Sequence, residues 1–377
     1  MENPHRILIL GGYGFFGSRI ATALARNKRI HLILAGRNLQ KATALAYQLG
    51  LRAENARALD ATDPQFTLWL RKLGVNTLIH TAGPFQSQNY AVAQACIQAG
   101  CDYLDLADGR AFVCGIVRLD AAARAAGVSV VSGVSSLPAL TSAVVDRYLP
   151  DFARLDVIRS GITSGAVVPG IATVKAVFGY CGKPIRVLEK GEWQIVHGWL
   201  DTQSHEFPKP VGRRTLGRCD VPDLDLLPLR YPGVKTVSFH AGFASHTAHR
   251  VVERLAMWVR DGKLKSALPF AQPMNTIARW IRPLVSDRGA MFVRMEGMHE
   301  NGAPLTLTWN LVARENDGPI IPCAAAIALA NKIAAGQQLP VGATPCLGLL
   351  SVDDLMEPLK GFSIRELQPP AVSGVSR

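Results

Sequence analysis

The residues best suited to chemistry stand near the start of the chain. Gly11-Gly12-Tyr13-Gly14-Phe15-Phe16-Gly17 satisfies two spacings at once: G-x-G-x-x-G from Gly12, Gly14 and Gly17, and G-x-x-G-x-x-G from Gly11, Gly14 and Gly17. The run directly follows Arg6-Ile7-Leu8-Ile9-Leu10, an apolar segment expected of a strand buried on both faces. After it, Ile20, Ala23 and Leu24 fall on one face of a helix. Strand, glycine turn and helix are what a dinucleotide pyrophosphate requires. Glycines let the backbone approach closely, while free N–H groups and the helix dipole meet the anion. Gly11 through Gly17, with Tyr13, Phe15 and Phe16 among them, are the expected pyrophosphate turn.

A second strand, His31–Ala35, ends in Gly36-Arg37-Asn38 with no carboxylate before Glu54. An NAD site usually places an acid here for the ribose, whereas a 2′-phosphate suits a guanidinium. Arg37 and Asn38 therefore point to NADP. A third strand, Ala56–Asp60, places Asp60 and Ala61 toward the adenine, and Thr81-Ala82-Gly83-Pro84 closes a fourth strand with small residues that can lie against the cofactor. At the end of a fifth strand, Tyr103 and Asp105 are the candidate catalytic pair. Asp105 could donate a proton or hold a substrate cation, and Tyr103 could hydrogen-bond the reacting group. The alternative is that Asp105 caps the loop and Tyr103 packs.

Other motifs carry less. Tyr231 and Lys235 have a Tyr-x-x-x-Lys spacing, but Pro232-Gly233 forbids the single helix face that pair needs. His240, His246 and His249 cluster within ten residues, but only His246 and His249 have helical i, i+3 spacing and no His-Glu-x-x-His is present, so surface or core histidines are expected rather than a metal site. Gly-x-Ser-x-Gly is absent, and Ser135 and Ser136 read as a loop lining the cofactor. Residues 252–288 mix Arg254, Arg260, Lys263, Lys265, Arg279, Arg282 and Arg288 with Leu255, Met257, Trp258, Leu268, Phe270, Trp280 and Ile281. A membrane or lipid surface is one reading. The preferred one is a helical hairpin that covers a sheet with a solvated charged side.

Positioning these residues takes two domains. The chain has 377 residues, with Lys plus Arg at 41 against 29 Asp plus Glu, a net +12. Hydrophobic residues at 48% exclude disorder as the main state, and the charge favours an anionic partner. Six strands alternating with helices over 1–133 predict a Rossmann-type doubly wound parallel sheet. An inserted α+β substrate and dimerisation domain over 134–317 has expected strands at Leu155–Gly161, Val187–Trp193, Gly233–Phe239, Met291–Met298 and Leu305–Val312, the last two as an antiparallel hairpin. Residues 318–377 are expected to return to the first domain, through the Ala-rich helix Pro322–Ala335, with Pro369–Ser373 as a frayed tail. Seven cysteines without a Cys-x-x-Cys, and no signal-peptide architecture, suggest a cytoplasmic protein. No nucleic-acid motif accompanies the charge.

Taken in order, Gly11–Gly17, Ala35-Gly36-Arg37-Asn38, Ala82-Gly83-Pro84-Phe85, Ala95-Cys96 with Gly100, Tyr103–Leu106 and Ser132–Pro138 resemble the saccharopine dehydrogenase-like oxidoreductases. Pro322 to Ala328, Gly342 to Pro345 and Leu350–Asp354 resemble that family's C-terminal return. The resemblance implies an NADP-binding domain, a substrate domain and a small-molecule substrate. Some members reduce imines, and others are similar to enoyl reductases acting on polyketide-derived lipids. Ala107-Asp108-Gly109-Arg110 departs from the Gly-Glu that relatives often carry there. The expected activity is NADP-dependent hydride transfer to a C=N or C=C bond. The alternative is a non-catalytic NADP(H) sensor.

Overall fold

The computed structural model describes residues 4–167, 170–281 and 285–369. Met1 to Asn3, Arg282 of the basic segment and Pro370 to Ser373 of the expected tail lie outside the described residues. Two compact units divide the chain. The first is built from residues up to Leu140 together with Ile320–Leu359, the second from Thr141–Pro319 and residues from Lys360 on.

In chain order the strands are β1 (His5–Leu10), β2 (Ile30–Gly36), β3 (Ala56–Ala58), β4 (Thr77–His80), β5 (Asp102–Asp105), β6 (Ser129–Ser132), β7 (Arg154–Thr163), β8 (Pro184–Glu189), β9 (Glu192–His197), β10 (Gln203–Phe207), β11 (Gly212–Arg218), β12 (Thr236–Gly242), β13 (Gly289–Met298), β14 (Pro304–Ala313), β15 (Gly342–Pro345) and β16 (Ile364–Leu367).

The first unit is a 7-stranded sheet in the order β15-β6-β5-β4-β1-β2-β3, all parallel. Ile7, Leu8 and Ile9 of β1 are wholly buried, as a central strand covered on both faces must be. The order reverses beside β1, so the loops after β1 and β4 open a crevice at the carboxyl ends of the strands. The Ala-rich helix Ala324–Ala334 is buried along most of its length and packs on the helix Gly17–Leu24. It leads to β15, which pairs with β6 as the seventh strand.

The second unit has a 9-stranded sheet, β10-β11-β12-β7-β13-β14-β16, with β8 pairing β12 and β9. It is mixed rather than purely antiparallel, because β12 runs parallel to β7. The β13–β14 hairpin forms as expected. Val187–Trp193 is not one strand: Lys190 and Gly191, both at positive φ, turn the chain between β8 and β9. The expected return of the whole 318–377 segment also needs correction. Past Lys360 the chain joins the second unit, where β16 pairs with β14 and Glu366 accepts hydrogen bonds from Trp309 Nε1 at 2.6 Å and from Arg147 at 3.1 Å. The basic segment forms the helices His246–Arg260 and Ala271–Ile281. Tyr231 donates to Asp146 at 2.7 Å, His240 and His249 are buried, and His246 is exposed. No group of metal-ligating side chains is present among the described residues.

Candidate cofactor-binding site

The glycine turn is built by close backbone approach. Gly11 has φ +83°, and its N–H donates to Ala35 O at 2.8 Å, which ties the end of β1 to β2. Gly14 N–H then folds back onto Gly11 O at 2.8 Å. A Cβ at Gly17 would collide with the Gly11 carbonyl and lie 2.8 Å from Thr81 Oγ1, so only glycine lets the helix start this close to the strand. Thr81 Oγ1 sits within hydrogen-bond reach of the carbonyls of Leu10 (3.0 Å) and Gly11 (3.1 Å), and so locks β4 to the turn.

The helix Gly17–Leu24 that follows has no side-chain cap at Phe16 and no acid in its first turn. The N–H groups of Phe15, Phe16 and Gly17 donate to no acceptor among the described residues. Uncapped donors and an unopposed dipole make a seat for an anion. Arg19 braces the turn, with its guanidinium 4.2 Å over the Phe15 ring and a hydrogen bond to Phe15 O.

Tyr13 lies across the end of β2. Its ring would meet any Cβ at Gly36, at 2.6 Å, and its Oη accepts from Asn38 N–H at 2.9 Å. Asn38 Oδ1 accepts from Lys41 N–H at 2.9 Å and caps the helix Leu39–Gln48, so its side chain is already used. Arg37 is exposed and has no hydrogen-bond or ion-pair partner among the described residues. Asp60 Oδ1 accepts from the N–H and hydroxyl of Thr62, which hold its carboxyl below the usual range, with Arg37 adding to the effect. Ala61 packs on the core of the unit. At the β4 exit, Gln88 Nε2 donates to Ala82 O (2.8 Å) and Pro84 O (3.0 Å), shaping the loop from Ala82 through Gly83. These residues fit an NADP molecule: bare N–H groups for the pyrophosphate and a free guanidinium for the 2′-phosphate.

Asp105 and Tyr103 stand at a strand end as expected, but both are wholly buried. Asp105 Oδ1 accepts from Ala107 N–H (2.9 Å), Ser132 Oγ (3.0 Å) and Gly133 N–H (2.9 Å), stitching the loops after β5 and β6 together. Burial pushes its carboxyl up to about 6, against the pull of those hydrogen bonds. Tyr103 Oη pairs with His80 Nδ1 at 3.1 Å, and burial beside Asp105 raises the phenol. His80 is pushed down to about 4 by burial and is neutral. The geometry matches loop capping and packing rather than contact with a substrate. Sequence reasoning passed over His80, and also Asp108, a half-buried acid in the loop after β5. Gln86 Nε2 donates to it at 3.0 Å, and burial raises its carboxyl. Its signal was the departure from Gly-Glu at that place.

Comparison with known proteins shows what this unit is similar to. Residues 7–131 match the family model described as saccharopine dehydrogenase NADP binding domain. The match is confined to these residues, which are similar to that NADP-binding domain. Among solved structures, apo saccharopine dehydrogenase (L-Glu forming) from Saccharomyces cerevisiae is 14% identical, with a TM-score of 0.65 over 96% of this chain and 99% of that one. At that identity the likeness is one of fold. An amine dehydrogenase from Mycobacterium smegmatis is fainter, 12% identical with a TM-score of 0.48 over 90% of this chain and 94% of its own. No curated protein sequence matches the chain. The matched residues 7–131 span the stretch from Gly11 to Pro84. No helix among the described residues is long and apolar enough to cross a membrane.

Proposed function

We propose that the protein is an NADP-dependent oxidoreductase that transfers hydride to a C=N or C=C bond of a small metabolite or lipid-like substrate. The observation that carries this reading is the pairing of an uncapped, acid-free helix start with the unpartnered Arg37 at the end of β2. When bound, NADPH supplies the hydride. The turn from Gly11 to Gly17 would seat the pyrophosphate, Tyr13 and Arg37 would hold the adenosine end, and the Ala82–Pro84 loop would border the bound cofactor. Asp105, Tyr103 and His80 act behind that surface by fixing the loops after β4, β5 and β6.

Asp108 is the acid this reading assigns to the reacting end. It is half-buried, burial raises its carboxyl, and Gln86 orients it. NADPH oxidation by the purified chain against a panel of imines, enoyl compounds and carbonyls tests the function. Turnover of imines or enoyls, depressed in Asp108→Asn with NADPH affinity retained, supports it. NADPH binding without turnover on any member would favour a sensor instead. The burial of Asp105 and Tyr103 is the observation on that side.

A further inference from the structure

We propose that the second unit carries an in-plane anchor for anionic lipid bilayers, formed by Leu268–Trp280 and the cations beside it. Phe270, Pro273, Ile277 and Trp280 recur at spacings of three and four, which sets them on one side of the helix Ala271–Ile281. The inward side is a different set. Ala271 and Asn275 are buried and Met274 and Ala278 half-buried, where this helix lies on the helix Ile171–Gly179. Among the described residues, the inward stripe is the buried one.

The outward stripe is strongly exposed: Trp280 81%, Ile277 50%, Leu268 42% and Phe270 37%. The preceding helix, His246–Arg260, buries His249, Val252, Leu255 and Ala256 but leaves Trp258 and Val251 outside. A single exposed leucine needs no explanation. Six large apolar side chains between Val251 and Trp280, two of them tryptophan, do. Tryptophan favours the headgroup level of a bilayer, where its ring is buried and its N–H stays wet.

Charge selects the occupant. From His246 to Trp280 the basic residues are Arg250, Arg254, Arg260, Lys263, Lys265 and Arg279, against Glu253 and Asp261. Asp261 is taken by Arg260 at 2.9 Å, and Glu253 accepts from Thr202 at 3.1 Å. Arg250, Arg254, Lys263, Lys265 and Arg279 have no ion pair among the described residues. A second copy of the chain would bring the same positive charge to this surface. A nucleic acid would satisfy the cations and leave the aliphatic stripe wet. A bilayer with acidic headgroups takes both the cations and the apolar side chains. With 11 residues the helix is too short to span, so it lies in the interface.

The test is co-sedimentation of the whole protein with vesicles of phosphatidylcholine and phosphatidylglycerol, set against phosphatidylcholine alone. The expected result is binding to the anionic vesicles only, weakened by salt and accompanied by a blue shift of tryptophan emission. Trp280→Ser should weaken partitioning about tenfold and remove most of the shift. Trp193→Ser, at a tryptophan 44% exposed elsewhere in the unit, should leave partitioning unchanged. Lys263→Glu with Lys265→Glu should abolish binding while the thermal transition stays in place, since both side chains are exposed. The proposal is overturned if neutral vesicles bind equally well, or if Trp280→Ser partitions like the unaltered chain. It is equally overturned if the protein ignores vesicles and Trp280→Ser instead splits a dimer in sedimentation.

Discussion

Arg37 and Asp105 make the most direct residue-scale claims. Arg37→Ala should weaken NADPH binding by 10- to 150-fold and leave NADH nearly unchanged, since a charge-assisted hydrogen bond contributes about 1.5–3 kcal/mol. Arg37→Asp should reverse the preference by repelling the phosphate and offering a partner to ribose hydroxyls. Titration by calorimetry at fixed ionic strength checks both, and an equal loss for the two cofactors would remove Arg37 from the phosphate. Asp105 makes a claim about pH. Its carboxyl titrates at about 6 in the fold and at about 4 in the unfolded chain, so the folded state disfavours the charge. This contribution to stability is fully present below about pH 4 and is lost as pH rises through about 6. Asp105→Asn keeps an acceptor for Ala107, Ser132 and Gly133 and should flatten the stability curve across that window in denaturant titrations. Asp105→Ala orphans three buried donors and should lower stability by roughly 3 kcal/mol below about pH 4, and by less above about pH 6, where the charged carboxyl is itself disfavoured. The role of Asp105 was beyond sequence reading because a carboxylate at a strand end looks alike whether it faces a crevice or the loop of the next strand. Only the register of β5 on β6 decides.

Elements were legible where their signals are local. Apolar β1 and the glycine turn beside it could be read directly, because a strand buried on both faces and a crowded turn each restrict residue choice within a few positions. β10 and β11 left no such trace. Gln203–Phe207 and Gly212–Arg218 are polar, and they are strands because they pair with each other and with β12. The β8–β9 turn lacked the Asn-Gly or Asp-Gly that usually announces one; Lys190-Gly191 does the same work. The turn itself yields a prediction at this scale. Gly17→Ala places a methyl against the Gly11 carbonyl and should cost about 1–3 kcal/mol of stability. Gly14→Val meets that carbonyl at 2.9 Å, fills the pyrophosphate seat and should abolish binding of NADPH and NADH alike, by calorimetry, while circular dichroism shows a folded chain.

At the scale of the whole molecule, each unit is assembled from two stretches of chain. β16 closes the second sheet from the far end of the sequence, and Glu366 is its anchor. Glu366→Ala leaves the buried Trp309 N–H without its acceptor, removes the ion pair with Arg147 and should destabilise the second unit by about 1–3 kcal/mol. Differential scanning calorimetry should show one transition moved down, with NADPH affinity of the first unit intact. A parallel loss of NADPH affinity would mean that the two units do not unfold separately. The seventh strand of the first sheet has a consequence in time. β6 is made early, but its partner β15 follows roughly 200 residues later. At about 5–20 residues per second on the ribosome, the β6 edge stands bare for some 10–40 s while most of the second unit emerges. An exposed parallel edge is a template for other chains. During synthesis the first unit is therefore an unfinished sheet, and the interval before β15 arrives is when the nascent chain most needs a chaperone or a slow neighbour.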